Sequence, residues 1–544
     1  MIDNELRASV TAWIEDDPDI KTAELLQRYL DTENESELRL CFAGFLEFGT
    51  AGIRGALGPG PSRMNRAVVG RTAAGLAEFM KSSGLDSIVI GRDARYGSED
   101  FTNDTAEIMA GAGFKVLVLP RPLPTPVLAF AVNELEINVG VMITASHNPA
   151  QDNGYKVYLG GVVNGINYSG SQIINPSDLA ISQEIAKINS LKVIPRSSNW
   201  KTLDESIVLK YIGRTSQIAK PSKTLKVVYT ALHGVGTRTL VSVFEKAGFA
   251  APILVSAQAE PDPDFPTVPF PNPEEVGAID LALETARKFD ADLVIANDPD
   301  ADRCAVAIKD GENWRMLRGD EVGAIFGEYI GSKGATGTFA NSIVSSSILS
   351  KIANSYSLNF VETLTGFKWL AKIPNLAFGY EEALGYCVDS KSVNDKDGIS
   401  AALKIVEIAS NLAANSMSLA EYLAQIWGKY GYHATSQISL RVTDLKKISQ
   451  IMDLFRNQTP EEIAGYKVDN FSDLSHPTNN LPPTDGIRFW LGEGIRIIIR
   501  PSGTEPKIKC YIEVVEVGPI STARLKADSK VEILRDALTK LLVG

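Results

Sequence analysis

Cysteine is scarce in this sequence: Cys41, Cys304, Cys387 and Cys510 are the only four in 544 residues. They are scattered and lack metal-ligand spacing. That excludes a disulfide framework and a thiolate metal site, and reduced thiols in a cytoplasmic protein are expected. Long apolar runs are missing too. No stretch reaches the roughly 18 apolar residues of a membrane span. The acidic start Met1-Ile2-Asp3-Asn4-Glu5 has no signal-peptide core. Positive charge is in deficit, with 54 Lys and Arg against 66 Asp and Glu and a net charge of −12. Nucleic acid and anionic membrane are therefore not expected as partners, whereas a small anion held by a local basic cluster is compatible with the charge. No internal repeat and no low-complexity segment occurs. What remains is 44% hydrophobic and 22% charged, ordinary for a soluble globular enzyme. The length implies about three to four domains.

The pattern along the chain changes character near residue 48. Before it, residues from about 3 to 45 read as helices, with Leu25, Leu26, Tyr29 and Leu30 on one face and a polar break over 31–37. After it, strands and helices alternate, which is α/β grammar. Strands are expected at 87–91, 115–119, 139–143, 225–229, 293–296 and 340–344, and the proline-rich stretch 260–275 is expected to be a loop. A last region opens with an alternating strand at 437–442, carries another at 495–500, and closes on a helix over 522–542. The domain breaks this suggests are 1–203, 204–318, 319–433 and 434–544.

Four segments carry chemistry. Thr144-Ala145-Ser146-His147-Asn148-Pro149 follows the apolar strand 139–143, and Pro149 with Asn153-Gly154 predicts a turn. A serine on a loop at the mouth of a strand suits a nucleophile or a phosphate carrier. No G-x-S-x-G elbow surrounds it, so hydrolase chemistry has no support. Alone, a Ser-His pair equally describes a hydrogen-bonded turn. Lys156, ten residues after Ser146, is close enough in sequence to reach the same site, although a lysine at a strand edge is usually solvated.

Asp298-Pro299-Asp300-Ala301-Asp302-Arg303 follows another buried strand. Carboxylates at alternate positions can converge on one hard cation, leaving places for phosphate and water. Sites in open α/β sheets lie at the carboxyl ends of strands, which separates this triplet from a solvated acidic turn. An EF-hand is disfavoured, because Arg303 and Lys309 stand where glycine and glutamate belong.

Arg500-Pro501-Ser502-Gly503-Thr504 follows the strand 495–500. It combines a guanidinium fork with hydroxyls and N–H groups in a tight turn, which suits an anion. It is not a P-loop, since the G-x-x-x-x-G-K spacing is absent. Gly379-Tyr380-Glu381-Glu382-Ala383-Leu384-Gly385 pairs two carboxylates that can accept bonds from sugar hydroxyls. Thr365-Gly366-Phe367-Lys368, Asp395-Lys396-Asp397-Gly398 and His233 are uninformative in isolation.

These four motifs, in their order along the chain, resemble the α-D-phosphohexomutase family of phosphoglucomutases and phosphomannomutases. The resemblance runs from Phe48 to Cys510. It implies an α/β fold with four domains around a central cleft, three of them α/β and the last α+β. It also implies phosphorylation of Ser146, Mg²⁺ on Asp298, Asp300 and Asp302 together with Ser146, and a sugar 1,6-bisphosphate as intermediate and activator. Substrate contacts are expected from Arg54, His233, Arg303, Gly366, Lys368, Glu381, Glu382, Lys396, Arg500, Ser502, Gly503 and Thr504. Lys156 and Lys396, with His147 behind them, are the candidates for proton transfer. The implied activity is mutase chemistry on sugar phosphates, glucose first and mannose second, by a monomer or dimer.

Two departures bear on this. Pro299 stands where many members have glycine, and Ala383 where many have serine. The Glu-Glu-Ala-x-Gly-Tyr form looks most like the phosphoglucomutase-2-type branch, which includes phosphopentomutases, so ribose 1-phosphate is the alternative substrate. An aspartyl-phosphate phosphatase using Asp298, and a non-catalytic sugar-phosphate-binding protein, are the readings outside mutase chemistry.

Overall fold

Short, wholly apolar runs between turn residues have nowhere to go but the middle of a sheet. Val139–Ile143 and Leu293–Ala296 are buried at every position. The structure, a computed structural model, describes the chain except Met1, Ala51, Thr443, Asp444, residues 477–480, Glu493, residues 503–506 and Gly544, together with the side chains of Leu445 and Val543. Its contacts gather it into two units, Met1–Leu317 with Ala383–Ala414, and Arg318–Glu382 with Asn415–Gly544.

The first unit holds two large sheets beside a two-stranded one, Val162–Val163 with Ile166–Asn167. In one, Val139–Ile143, Ser87–Arg92 and Lys115–Val118 run parallel, while Asp152–Leu159 and then Ile53–Ala56 add antiparallel at one edge. In the other, Ile253–Leu254, Val227–Thr230 and Leu293–Ala296 are parallel, and Ala305–Asp310 and Asn313–Met316 extend the sheet antiparallel. Helices Asn4–Asp16, Ile20–Asp31 and Glu35–Cys41 precede them. The polar stretch 31–37 is shorter as a break than its composition suggests. Asn34 caps the third helix by accepting from Glu37 N, so that helix begins inside it.

The second unit pairs Thr338–Ser342 in parallel with Asn359–Thr363 and Leu376–Glu381. It also carries a six-stranded sheet that pairs antiparallel throughout, against which the helix Ile520–Val543 packs. The strand expected at 340–344 stops two residues early. Ile343 and Val344 leave the sheet to join a core with Leu364, Leu474, Ile498 and Tyr511.

Asn153-Gly154, expected in a turn, lies in the strand Asp152–Leu159 instead. Glycine is needed there for close approach. A Cβ on Gly154 would stand 2.6 Å from Thr144 O and 2.9 Å from Ile53 O, the backbones on either side. No helix among the described residues is long and apolar enough to cross a membrane. All four cysteines are free and buried.

Candidate active site

The strand Val139–Ile143 delivers the serine loop at its carboxyl end. Ser146 is 2% exposed and holds φ at +52°, a region that non-glycine residues enter only under constraint. Its N–H donates to Thr144 Oγ1 at 2.9 Å. Its hydroxyl donates to Asp298 Oδ2 at 2.7 Å and lies 3.2 Å from His147 Nδ1. The first two chemical segments, 152 residues apart in sequence, therefore meet through their key atoms.

Asp298, Asp300 and Asp302 are fully buried, and one carboxylate oxygen from each falls within 4.8 Å of the others. Ala301, between two of them, also takes positive φ, at +53°. Pro299 has a partner suited to it. Gly234 lies so near that a Cβ there would stand 2.2 Å from Pro299 Cα, and Val235 N donates to Pro299 O at 2.8 Å.

Three buried carboxylates in one place require cations. Lys156 Nζ donates to Asp300 Oδ2 at 2.7 Å and to Asp302 Oδ2 at 3.1 Å. Far from lying at a solvated edge, this lysine is only 5% exposed. Lys396 Nζ lies 2.8 Å from Asp302 Oδ2, and Arg303 Nε stands 4.0 Å from both Asp298 and Asp302. Burial and then the two neighbouring aspartates push the Asp298 carboxyl above its usual range. Against the same burial, Lys156 and Lys396 hold Asp302 well below it. Burial, then Arg303 and Arg54, keep the His147 imidazole well below its ordinary value and hence neutral.

Hydrogen bonds do not satisfy this cluster. Asp300 Oδ1 and Asp302 Oδ1 are buried without a hydrogen-bond partner among the described residues. Unfilled oxygens on a set of oxygen-only donors fit a hard divalent cation, and the triad could hold one.

The remaining expected residues divide between the units. In the first, Arg54 Nη1 donates to Asn148 Oδ1 at 3.0 Å on the serine loop. His233 turns its ring to Thr267 Oγ1 at 2.8 Å, while its backbone neighbours seat Pro299. In the second, Gly366 N donates to Glu381 Oε1 at 2.6 Å, which joins the Thr365-Gly366-Phe367-Lys368 loop to the paired carboxylates. Glu382 Oε2 accepts from Ser342 Oγ at 3.0 Å and Ser345 Oγ at 3.1 Å. Arg500 and Ser502 are half-buried at the end of Ile495–Pro501, and Ser502 N is tied to Lys507 O at 2.8 Å. The hydroxyl of Tyr511 is raised by burial and by Glu382, with Arg500 opposing, so these groups share one electrostatic neighbourhood. Gly503 and Thr504 lie outside the described residues.

Two residues escaped the sequence reading. Thr125 donates its hydroxyl to Asp300 Oδ2 at 2.6 Å and its N–H to Asp300 O at 2.9 Å. Arg95 donates to the serine loop, to Ser146 O at 2.7 Å and Asn148 O at 2.6 Å. Both stand just past the carboxyl ends of parallel strands, Lys115–Val118 and Ser87–Arg92, and that rule is the signal that finds them.

Known proteins resemble this chain along most of its length. The four models of phosphoglucomutase/phosphomannomutase, three alpha/beta/alpha domains and a C-terminal domain, match residues 46–191, 209–311, 318–430 and 438–519. A probable phosphomannomutase of Haemophilus influenzae is 47% identical over 472 residues, covering 86% of this chain and 96% of its own. Human phosphopentomutase is 35% identical over 574 residues, with 94% and 92% covered. The crystal structure of a phosphoglucomutase/phosphomannomutase family protein from Burkholderia thailandensis superposes with a TM-score of 0.71 at 18% identity, over 91% of this chain and 96% of that one.

Proposed function

The chain belongs to the phosphoglucomutase/phosphomannomutase family, and from that premise we propose that it shuttles phosphate between the two ends of a sugar phosphate through Ser146. The observation that carries this is the 2.7 Å bond from Ser146 Oγ to Asp298, inside a buried triad whose charge is balanced by lysines. The terminal hydroxyl of a sugar 1-phosphate attacks the phosphorus on Ser146. The bond from phosphorus to Oγ breaks, and a sugar bisphosphate forms. Reversed end for end, the bisphosphate returns its other phosphate to Ser146 and leaves as the isomeric monophosphate. Mg²⁺ held by Asp298, Asp300 and Asp302 with the Ser146 oxygen would offset the charge of the transferring group.

The attacking hydroxyl must lose its proton. His147 Nδ1 is 3.2 Å from Ser146 Oγ, whereas Lys156 and Lys396 stand on the aspartates. These three are the groups able to exchange it. Arg54 and Arg303 add positive charge around the triad. To Arg500 and Ser502 we assign the phosphate that is not reacting, and to Glu381, Glu382, Gly366 and Lys368 the sugar.

Glucose 1-phosphate is the substrate we assign first, with mannose 1-phosphate beside it. A second reading, a phosphopentomutase, is favoured by Ala383 and by the 35% identity to human phosphopentomutase. Coupled assays on glucose, mannose, glucosamine and ribose 1-phosphates, with bisphosphate present, decide between them. Phosphopeptide mapping of purified enzyme is expected to find phosphate on Ser146, and Ser146→Ala to lose steady-state turnover while staying folded, since it removes one hydroxyl and leaves the loop's backbone bonds to Thr144 Oγ1 and Arg95 in place. An acyl-phosphate on Asp298 would point to a phosphatase. Absence of turnover on every sugar phosphate would point to a binding protein.

A further inference from the structure

Arg95 is only 4% exposed, yet its guanidinium serves a loop rather than a core. Nη2 donates to Ser146 O at 2.7 Å and Asn148 O at 2.6 Å, and Nη1 to Pro149 O at 2.7 Å and Asp152 O at 3.1 Å. Its Nε stands 3.3 Å from Asp93 Oδ2, and its central carbon lies 4.8 Å over the ring of Phe265. Burying a guanidinium is costly, and an apolar side chain would fill the same space at lower cost. What only the planar fork supplies is four fixed bonds to carbonyls spread over one short stretch, residues 146–152.

Those carbonyls begin at Ser146 itself, whose φ of +52° needs outside support. The serine hydroxyl hangs from that backbone by one torsion, so backbone placement sets where a phosphate on Oγ would stand. We propose that Arg95 is the positioning residue for phosphoryl transfer, holding the serine loop in one geometry with Ser146 free or phosphorylated. It touches no reacting atom and acts through the Ser146, Asn148, Pro149 and Asp152 carbonyls. The inference rests on the phosphoserine reading above.

The test compares wild type, Arg95→Lys and Arg95→Ala, each checked for folding by circular dichroism. Sugar bisphosphate is mixed with dephosphorylated enzyme, and the rate of Ser146 phosphorylation is followed by intact-mass spectrometry beside steady-state kinetics. Arg95→Lys keeps the charge next to Asp93 but cannot bond four carbonyls. It is expected to lose on the order of ten- to a hundredfold in kcat and in phosphorylation rate, the scale of a small misplacement of reacting groups, with KM little changed. In Arg95→Ala, millimolar guanidinium is expected to restore part of that rate, and sodium chloride at equal ionic strength is not. A folded Arg95→Lys with wild-type phosphorylation, a loss confined to KM, or absence of guanidinium rescue overturns the proposal. So does failure of both variants to fold, which would make Arg95 a residue of the core. Wild-type enzyme that takes up no phosphate on Ser146 defeats the phosphoserine reading instead, so the two failures are told apart.

Discussion

Each unit buries a polar cluster built on carboxylate, three aspartates in the first and Glu513 in the second, and the two clusters are built on opposite principles. In the second unit Glu513 reaches the start of helix Ile348–Ser355. There its Oε1 accepts from Ser346 Oγ at 2.6 Å, Ser347 N at 2.8 Å and His433 Nδ1 at 3.0 Å, and Arg496 Nη2 holds Oε2 at 2.9 Å. Both oxygens are occupied, and a helix N-terminus adds its own attraction for the anion. In the first unit Asp300 and Asp302 each retain a buried oxygen that accepts no hydrogen bond among the described residues, and Ser146 and Ala301 beside the cluster are held at positive φ. A saturated cluster is cement. A cluster with leftover acceptors and a strained backbone is poised to bind something. Distance from solvent does not distinguish them, and neither does charge; the count of unmet oxygens does.

Breaking the saturated cluster should cost the most free energy and the least chemistry. Glu513→Gln leaves Arg496 and its hydrogen-bond donors without their anion, a loss of about 3–5 kcal/mol for a broken buried pair. The urea midpoint is expected to fall while kcat barely moves. Despite burial, Arg496 and the bonds from His433 and Ser346 hold the Glu513 carboxyl below its ordinary value of 4.5. A depressed acid stabilises the fold fully above that ordinary value and loses its contribution as pH falls toward the folded one. The gap between wild type and Glu513→Gln should therefore be constant at neutral pH and close below about pH 4.5. A gap that widens on acidification would reverse the assignment.

The unsaturated cluster should respond the other way. Asp300→Asn removes one oxygen ligand and one buried negative charge. Lys156 keeps Asp302, so the fold survives. Turnover is expected to fall on the order of a hundredfold or more, because metal assistance is worth several kcal/mol of charge stabilisation. EDTA is expected to stop the wild-type enzyme and Mg²⁺ to restart it. An Asp300→Asn enzyme that is active but unstable would place the triad with the cement. Next in size is Arg500→Ala, which removes a charge-assisted phosphate contact of about 1.5–3 kcal/mol, roughly a tenfold to hundredfold loss in kcat/KM. Kinetics within twofold of wild type would remove Arg500 from the phosphate site.

The contrast also explains what the sequence could and could not disclose. The strands Val139–Ile143 and Leu293–Ala296 were legible to the residue, because short apolar runs bounded by turn formers admit one reading. The gathering of the alternating aspartates was legible as well, since all three carboxylates lie within five residues. Glu513 was not. Its partners Ser346 and His433 are 167 and 80 positions away, and nothing local marks it as buried. Arg95 was hidden for another reason: it recognises carbonyls, which every residue has, so no partner motif betrays it. Asn153-Gly154 misled because glycine serves close approach as readily as it serves turns, and only the neighbouring backbones at Thr144 and Ile53 tell which.

The smallest expected effect concerns the sugar. Glu381 accepts from Gly366 N, and Glu382 accepts from the Ser342 and Ser345 hydroxyls, which fixes their orientation. Oriented carboxylates can accept from adjacent sugar hydroxyls, but Ala383 brings no hydroxyl of its own. Discrimination between sugars should therefore be loose. Ala383→Ser restores one hydrogen-bonding group at a half-buried position, worth about 0.5–1.5 kcal/mol. The ratio of kcat/KM for glucose 1-phosphate to that for ribose 1-phosphate is expected to rise roughly two- to tenfold. Folding should be unaffected, since the new group is small and partly solvated. Side-by-side rates on both sugars check this. An unchanged ratio would remove residue 383 from sugar recognition. A wild-type preference for ribose 1-phosphate above tenfold would replace the hexose assignment, yet leave Ser146, the aspartates and the contrast between the two clusters as they stand.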